Sequence, residues 1–369
     1  MSDGSSPGPG TDGPETREDG DGNSEAVVTL AHGAGAGTMR ELVDDLAVSR
    51  FADGDDGQSE PGRVDLSALD DGSAHLLGGG EQSVVVTTDS HVVSPPFFPG
   101  GDIGRLAISG TVNDLAVMGA TEPLALTCSL VVEEGYPVSK LEAVLDSMQA
   151  ACEEAGGRVT TGDTKVMGNG ELDGPVINTT GVATISPESV VTDAGVSPGD
   201  AIIVSGTMGD HGIALLSERE DFGFGGDLES DVAPVNDLVQ SALEAGQVTA
   251  MKDPTRGGLA TTLNELATKA EVGLELDEQA IPIDDTVASA GEVLGIDPLH
   301  VANEGKVVFA VDQRDAEAVL SALRDHPQGT ESALVGHATD EHTGRVVLDT
   351  GFGRRYLSEP EGQALPRIC

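Results

Sequence analysis

Five aspartates sit where a chain can present a carboxylate to a ligand. Asp89 follows the β-branched run Val84–Val86, Asp71 precedes Gly72 and Ser73, and Asp114 lies beside Asn113 in an apolar stretch with helical spacing. Asp163 stands in Gly162-Asp163-Thr164-Lys165, and Asp253 stands in Lys252-Asp253-Pro254-Thr255-Arg256-Gly257-Gly258, directly before a helical pattern. Hard carboxylate oxygens suit Mg2+, and glycine amides cradle phosphates. Acids at strand ends beside glycine turns therefore point to a site for a metal-bound triphosphate. Any one of the 64 acidic residues, taken alone, reads as a solvated surface group. The repeated placement carries the reading.

Two further residues are candidates for moving a proton. The chain has only five lysines, and Lys165 is kept among acids, which implies either a specific task or a structural ion pair. Glu304 lies in Ala302-Asn303-Glu304-Gly305-Lys306, just before a β-branched strand. Burial would tune either group into a proton acceptor. The segment His32-Gly33-Ala34-Gly35-Ala36-Gly37-Thr38 reads as a phosphate loop opening a helix over Met39–Leu46, or as a plain Gly-Ala linker. It lacks the Gly-Lys-Ser/Thr ending of a P-loop. Cys369 closes the chain and is chemically accessible, whereas Cys128 and Cys152 lie in apolar segments as inert thiols.

The elements that must position these groups alternate between strand and helix patterns. Ser83–Thr88, Leu124–Val132, Val176–Ile185, Ala201–Val204 and Lys306–Val311 read as strands; Asp102–Met118, Ser139–Ala155 and Gly257–Ala270 read as helices. Several strands follow one another directly, so the fold class expected is α/β (α+β), two-domain, with mixed β-sheets and flanking helices. The expected division is an acidic disordered tail over 1–24, an N-terminal domain over 25–195, a C-terminal domain over 196–357 and a mobile tail over 358–369. Length alone, 369 residues, suits two or three domains.

Composition excludes several classes. The formal net charge of −45 repels phosphate backbones, so no nucleic-acid partner is expected. No membrane span and no secretory leader is legible. Three cysteines make no disulfide framework and fit a cytoplasmic protein. The acid excess runs through every segment, the device of a chain that must stay hydrated in molar salt; a partner-seeking acidic face would instead be clustered.

Taken in order, several segments match one family. These are His32 to Val43, Phe97–Arg105 (FFPGGDIGR), Gly110–Ala120 (GTVNDLAVMGA), Gly162–Lys165 (GDTK), Asp253–Leu259 (DPTRGGL), Val301–Lys306 (VANEGK) and the ending Pro366-Arg367-Ile368-Cys369. The chain resembles, from about Val27 to its end, the HypE family of hydrogenase maturation proteins, within the superfamily of aminoimidazole-ribonucleotide synthetase and selenophosphate synthetase. The resemblance implies a PurM-like ATP-binding fold, a homodimer paired through the N-terminal domains, and ATP and Mg2+ as cofactors. It implies that Asp71, Asp89, Asp114 and Asp253 hold the metal, and that His32, Gly33, Gly35, Gly37, Asp89, Asn113, Gly162, Asp163 and Thr164 contact the nucleotide. Cys369, Lys165 and Glu304 would be catalytic, dehydrating a carbamoyl group on Cys369 to a thiocyanate. HypF would be the carbamoyl donor and the HypC–HypD complex the acceptor. A synthetase of the same superfamily fits less well, since the glycine loop has no nearby cysteine; a carrier without catalysis leaves the acids without a role.

Overall fold

The computed structural model describes residues 16–18, 24–29, 36–52, 61–220 and 228–360. A short hairpin, β1 (Thr16–Glu18) and β2 (Ser24–Ala26), precedes helix α1 (Ala36–Val43), which runs through a π turn at Asp44–Val48 into α2 (Ser49–Phe51). The N-terminal sheet follows: β3 (Ser73–Leu76), β4 (Ser83–His91), β7 (Pro123–Glu133), β8 (Val159–Met167) and β9 (Val176–Ile185), ordered β3-β4-β9-β7-β8. A two-residue ribbon, β5 (Phe97–Phe98) with β6 (Gly101–Asp102), leads into α3 (Ile103–Val117); α4 (Val138–Glu154) joins β7 to β8, which pair in parallel.

Residues on β4 and β9 alternate between buried and part-exposed, the period of a half-covered sheet. Helix α3 covers that face and packs on α4. Asp102 caps α3: its Oδ1 accepts from the amides of Gly104 at 2.6 Å and Arg105 at 3.1 Å. Nearly all of α3 is buried, because the sheet, α4 and the second domain enclose it.

The C-terminal domain supplies β10 (Ala201–Val204), α5 (Asp210–Arg219), α6 (Asn236–Ala245), β11 (Val248–Lys252), α7 (Gly258–Lys269), β12 (Gly273–Asp277), α8 (Asp285–Leu294), β13 (Val308–Val311), α9 (Ala316–Asp325), β14 (Ala333–Thr339), β15 (Arg345–Asp349) and β16 (Arg354–Tyr356). Its sheet runs β11-β13-β10-β14-β12-β15-β16. Strands β10 and β13 are buried throughout, as their continuous apolar sequences require. The α/β class with mixed sheets is thus the fold observed. Among the described residues no helix is long and apolar enough to cross a membrane.

Two local expectations change. Asp89 lies within β4, not after a strand, and Gly162–Lys165 lies inside β8 instead of in a turn following it. Parallel pairing with β7 carries β8 through the glycine to Met167. Leu357, the residue before the expected tail, is anchored: it is buried, its amide donates to the Val346 carbonyl at 2.9 Å, and its carbonyl accepts from Asn264 Nδ2 at 2.8 Å.

Candidate active site at the domain junction

Asp71 comes from the turn before β3, Asp114 from the last turn of α3 and Asp253 from the residue after β11. Ligand oxygens of these three lie within 4.8 Å of one another, with Asp71 and Asp114 part-exposed and Asp253 buried. The cluster therefore spans the junction between the domains. Thr87 steadies it: its hydroxyl oxygen lies 2.8 Å from the Asp71 carbonyl and 2.7 Å from Asp114 Oδ2. One hydroxyl proton cannot serve both acceptors, which agrees with Asp114 keeping a proton of its own. Asp71 Oδ2 is buried without a hydrogen-bond partner. A stranded oxygen among convergent carboxyls is a costly arrangement unless a cation fills it. This all-oxygen donor set fits Mg2+.

The electrostatics follow from crowding. Burial first, and then Asp71, push Asp253 up to about 7, while Lys252 opposes the shift. Burial together with Asp253, Asp71 and Asp89 raises Asp114 well above the usual carboxylate range. Lys252 is the counterweight: its Nζ lies 2.5 Å from Asp71 Oδ1, and 3.6 Å from both Asp193 Oδ2 and Glu265 Oε2. Burial favours its neutral form, but these three carboxylates hold its pKa well above that of a free lysine. Lys269 adds a second cation, 2.5 Å from Asp193, and Arg40 pairs with Glu265 at 2.5 Å. Beside them, burial and then Asp193 raise Asp70 to about 7.

Lys252→Met is expected to destabilise the chain by about 3–5 kcal/mol, because it strands Asp71 without its cation and takes a second cation from Asp193 and Glu265, which keep only Lys269 and Arg40. Added Mg2+ should recover part of that loss in a denaturant titration. Absence of any recovery would remove Asp71 from the metal site.

Around the cluster the structure places the other candidates differently. Asp89 stands at its rim with a side chain 37% exposed, 3.6 Å from the buried His91 Nε2. It is outside the three acids whose oxygens converge, but close enough to raise both Asp114 and Glu304. Glu304 is buried; burial, Asp253, Asp231 and Asp89 push its carboxyl well up, and Arg256 opposes them. Asn113 is committed to the backbone of the junction. Its Nδ2 donates to the carbonyls of Ala233 and Glu304, each at 3.2 Å, and its Oδ1 accepts from the Val235 amide at 2.9 Å.

Lys165 and Asp163 are not brought to the cluster. They pair with each other at 2.6 Å on β8, an edge strand exposed from Val159 through Val166. Thr164 donates its amide to Asp163 Oδ1 at 2.8 Å, and Gly162 sits against the Cys128 backbone. Gly37 lies in α1; His32, Gly33, Gly35 and Cys369 fall outside the described residues. Sequence reasoning passed over Lys252, Asp193, Glu265 and Lys269. The scarcity of lysine was the available signal, since Lys252 precedes Asp253 directly. A second group, Glu275, Glu341 and His342, also brings ligand atoms within 4.8 Å, but it is mostly exposed, and Arg354 lies 3.3 Å from Glu275.

Residues 70–185 match the model of the N-terminal domain of AIR synthase related proteins, and residues 197–349 match that of the C-terminal domain. The carbamoyl dehydratase HypE of Rhizobium leguminosarum bv. viciae is 45% identical over 345 residues, covering 93% of this chain and 95% of the relative. The chain belongs to the HypE family of carbamoyl dehydratases. Solved structures agree. A HypE in complex with ATP superposes with a TM-score of 0.75 at 40% identity, covering 92% of this chain and 100% of that one. The HypE–HypF complex gives 0.78 at 38% identity, covering 86% and 99%. HypE folds thus share the two-domain frame whose junction gathers the acids described above.

Proposed function

We propose that this protein uses ATP to dehydrate an S-carbamoyl group on its own Cys369 to a thiocyanate, the source of the cyanide ligand in [NiFe]-hydrogenase maturation. The observation that carries this reading is the convergence of Asp71, Asp114 and Asp253, with Glu304 close enough to feel Asp253. A carbamoyl oxygen is a poor leaving group. Transfer of the γ-phosphoryl group to it releases ADP and turns the departing oxygen into phosphate. The C–O bond then breaks as C≡N forms, and the two nitrogen protons leave. The sum is R–S–C(=O)NH2 plus ATP giving R–S–C≡N, ADP and dihydrogen phosphate. Asp71, Asp114 and Asp253, with Asp89 at the rim, would hold Mg2+, which when bound neutralises triphosphate charge. Glu304 takes a proton from nitrogen, and its burial suits a base of raised pKa.

Lys165 enters this scheme only if a second copy docks along the open edge of β8, so a homodimer is part of the proposal. HypF is the proposed carbamoyl donor, supported by the solved HypE–HypF complex. The HypC–HypD complex is the proposed acceptor, and the cytoplasm the proposed compartment. Cys128 and Cys152 do not compete as carriers, because burial pushes both thiols up.

The test is mass spectrometry of the C-terminal peptide after incubation with HypF, a carbamoyl donor and ATP. Wild-type chain should lose water from the carbamoylated peptide. Cys369→Ala should form no thiocyanate yet still bind ATP; a thiocyanate on Cys128 or Cys152 in that variant would overturn the carrier assignment.

A further inference from the structure

A second ionic group, apart from the three convergent acids, adjoins the Glu304 backbone. Asp231 Oδ1 accepts from the Glu304 amide at 3.0 Å. Its other oxygen, Oδ2, lies 3.5 Å from Lys306 Nζ, and that ammonium is 3.7 Å from Asp210 Oδ2. The Asp231 side chain is 3% exposed. Backbone contact is equally close: a Cβ at Gly305 would fall 1.9 Å from the Asp231 carbonyl oxygen, so only glycine lets the two segments meet.

The segment carrying Asp231 is fixed from both domains. The Ser230 amide donates to the Pro99 carbonyl at 2.9 Å, Arg105 Nε donates to the Val232 carbonyl at 2.8 Å, and Asn113 grips the Ala233 and Glu304 carbonyls. Glu304 therefore has its amide held by Asp231 and its carbonyl held by Asn113 on α3, the helix that carries Asp114.

We propose that Asp231 is a positioning residue for Glu304: it fixes the Glu304 backbone through the amide and is itself held by Lys306. This rests on Glu304 acting as the base in the reaction proposed above. Asp231 touches neither nucleotide nor carbamoyl group in this scheme, so its loss should lower turnover without weakening ATP. A shift of about 1 Å in a reacting group costs roughly a hundredfold.

The experiment uses the full chain with a carbamoyl-loaded tail, following thiocyanate formation in single turnover as ATP is varied. Asp231→Ala and Asp231→Leu remove the acceptor, Leu at similar volume; Asp231→Asn keeps an oxygen for the Glu304 amide. The acceptor-free variants should lose about a hundredfold in rate at unchanged ATP half-saturation, and Asp231→Asn should recover most of it. Equal rates in the Asn and acceptor-free variants, or a rate loss matched by weaker ATP, would overturn the inference. So would failure of both acceptor-free variants to fold, which would assign Asp231 to stability alone. Glu304→Gln is the control: if it turns over at the wild-type rate, the role of Glu304 fails, whereas a dead control beside indistinguishable Asp231 variants sinks only the positioning role.

Discussion

Asp253→Asn should lower Mg2+-dependent ATP turnover by about a hundredfold or more, since charge stabilisation by a bound dication amounts to several kcal/mol. The substitution changes little in size and leaves Lys252 and Asp114 in place, so the loss reads the missing charge. A pH signature accompanies it. Without metal, Asp253 binds its proton up to about pH 7, against 3.8 for an ordinary aspartate. Between those values the folded chain holds a proton that the unfolded chain has released. This contribution is complete below pH 3.8 and is lost as pH rises through about 7. Saturating Mg2+ should oppose that decline, and Asp253→Asn should lack its share of it. Denaturant titrations across this range, with and without Mg2+, read the slope directly. Identical slopes and identical Mg2+ responses in both proteins would remove Asp253 from the metal site.

Glu304→Gln should cost about 10²–10⁴ in nitrile formation, the usual contribution of a positioned acid or base, with ATP affinity kept. Burial, Asp253, Asp231 and Asp89 all favour the protonated carboxyl, and Arg256 opposes them. Neutralising Asp253 therefore lowers the Glu304 pKa and readies it as an acceptor. The readout pairs calorimetric ATP binding with mass spectrometry of the C-terminal peptide. Retained carbamoyl with normal ATP binding is the expected result; wild-type conversion by Glu304→Gln would exclude it as the base.

Much of this architecture is legible without coordinates. The β-branched run of β4 and the helical spacing of α3 follow from side-chain periodicity, which burial against a neighbouring layer enforces. Asp71 and Asp253 stand out by the glycines that follow them, and Asp114 by its place beside Asn113 in an apolar helical stretch. Their convergence is a tertiary fact, since 138 residues lie between Asp114 and Asp253 in the sequence. Lys252 and Asp231 escaped notice for the same reason: their partners, Asp71 and the Glu304 amide, lie in distant segments. Lys165 shows the opposite case. Its glycine-flanked motif looks like a turn, but pairing with β7 draws it out as strand and leaves it on an open edge.

The burial of Leu357 sets a leash on the chemistry. Twelve residues run from there to Cys369, and fully extended they span at most about 43 Å. Whatever path they take, the thiol stays inside a sphere of that radius, which corresponds to a local concentration on the order of millimolar. Under the proposed carrier role, a group on Cys369 would meet the proposed nucleotide site in an intramolecular encounter whose frequency does not change when the protein is diluted.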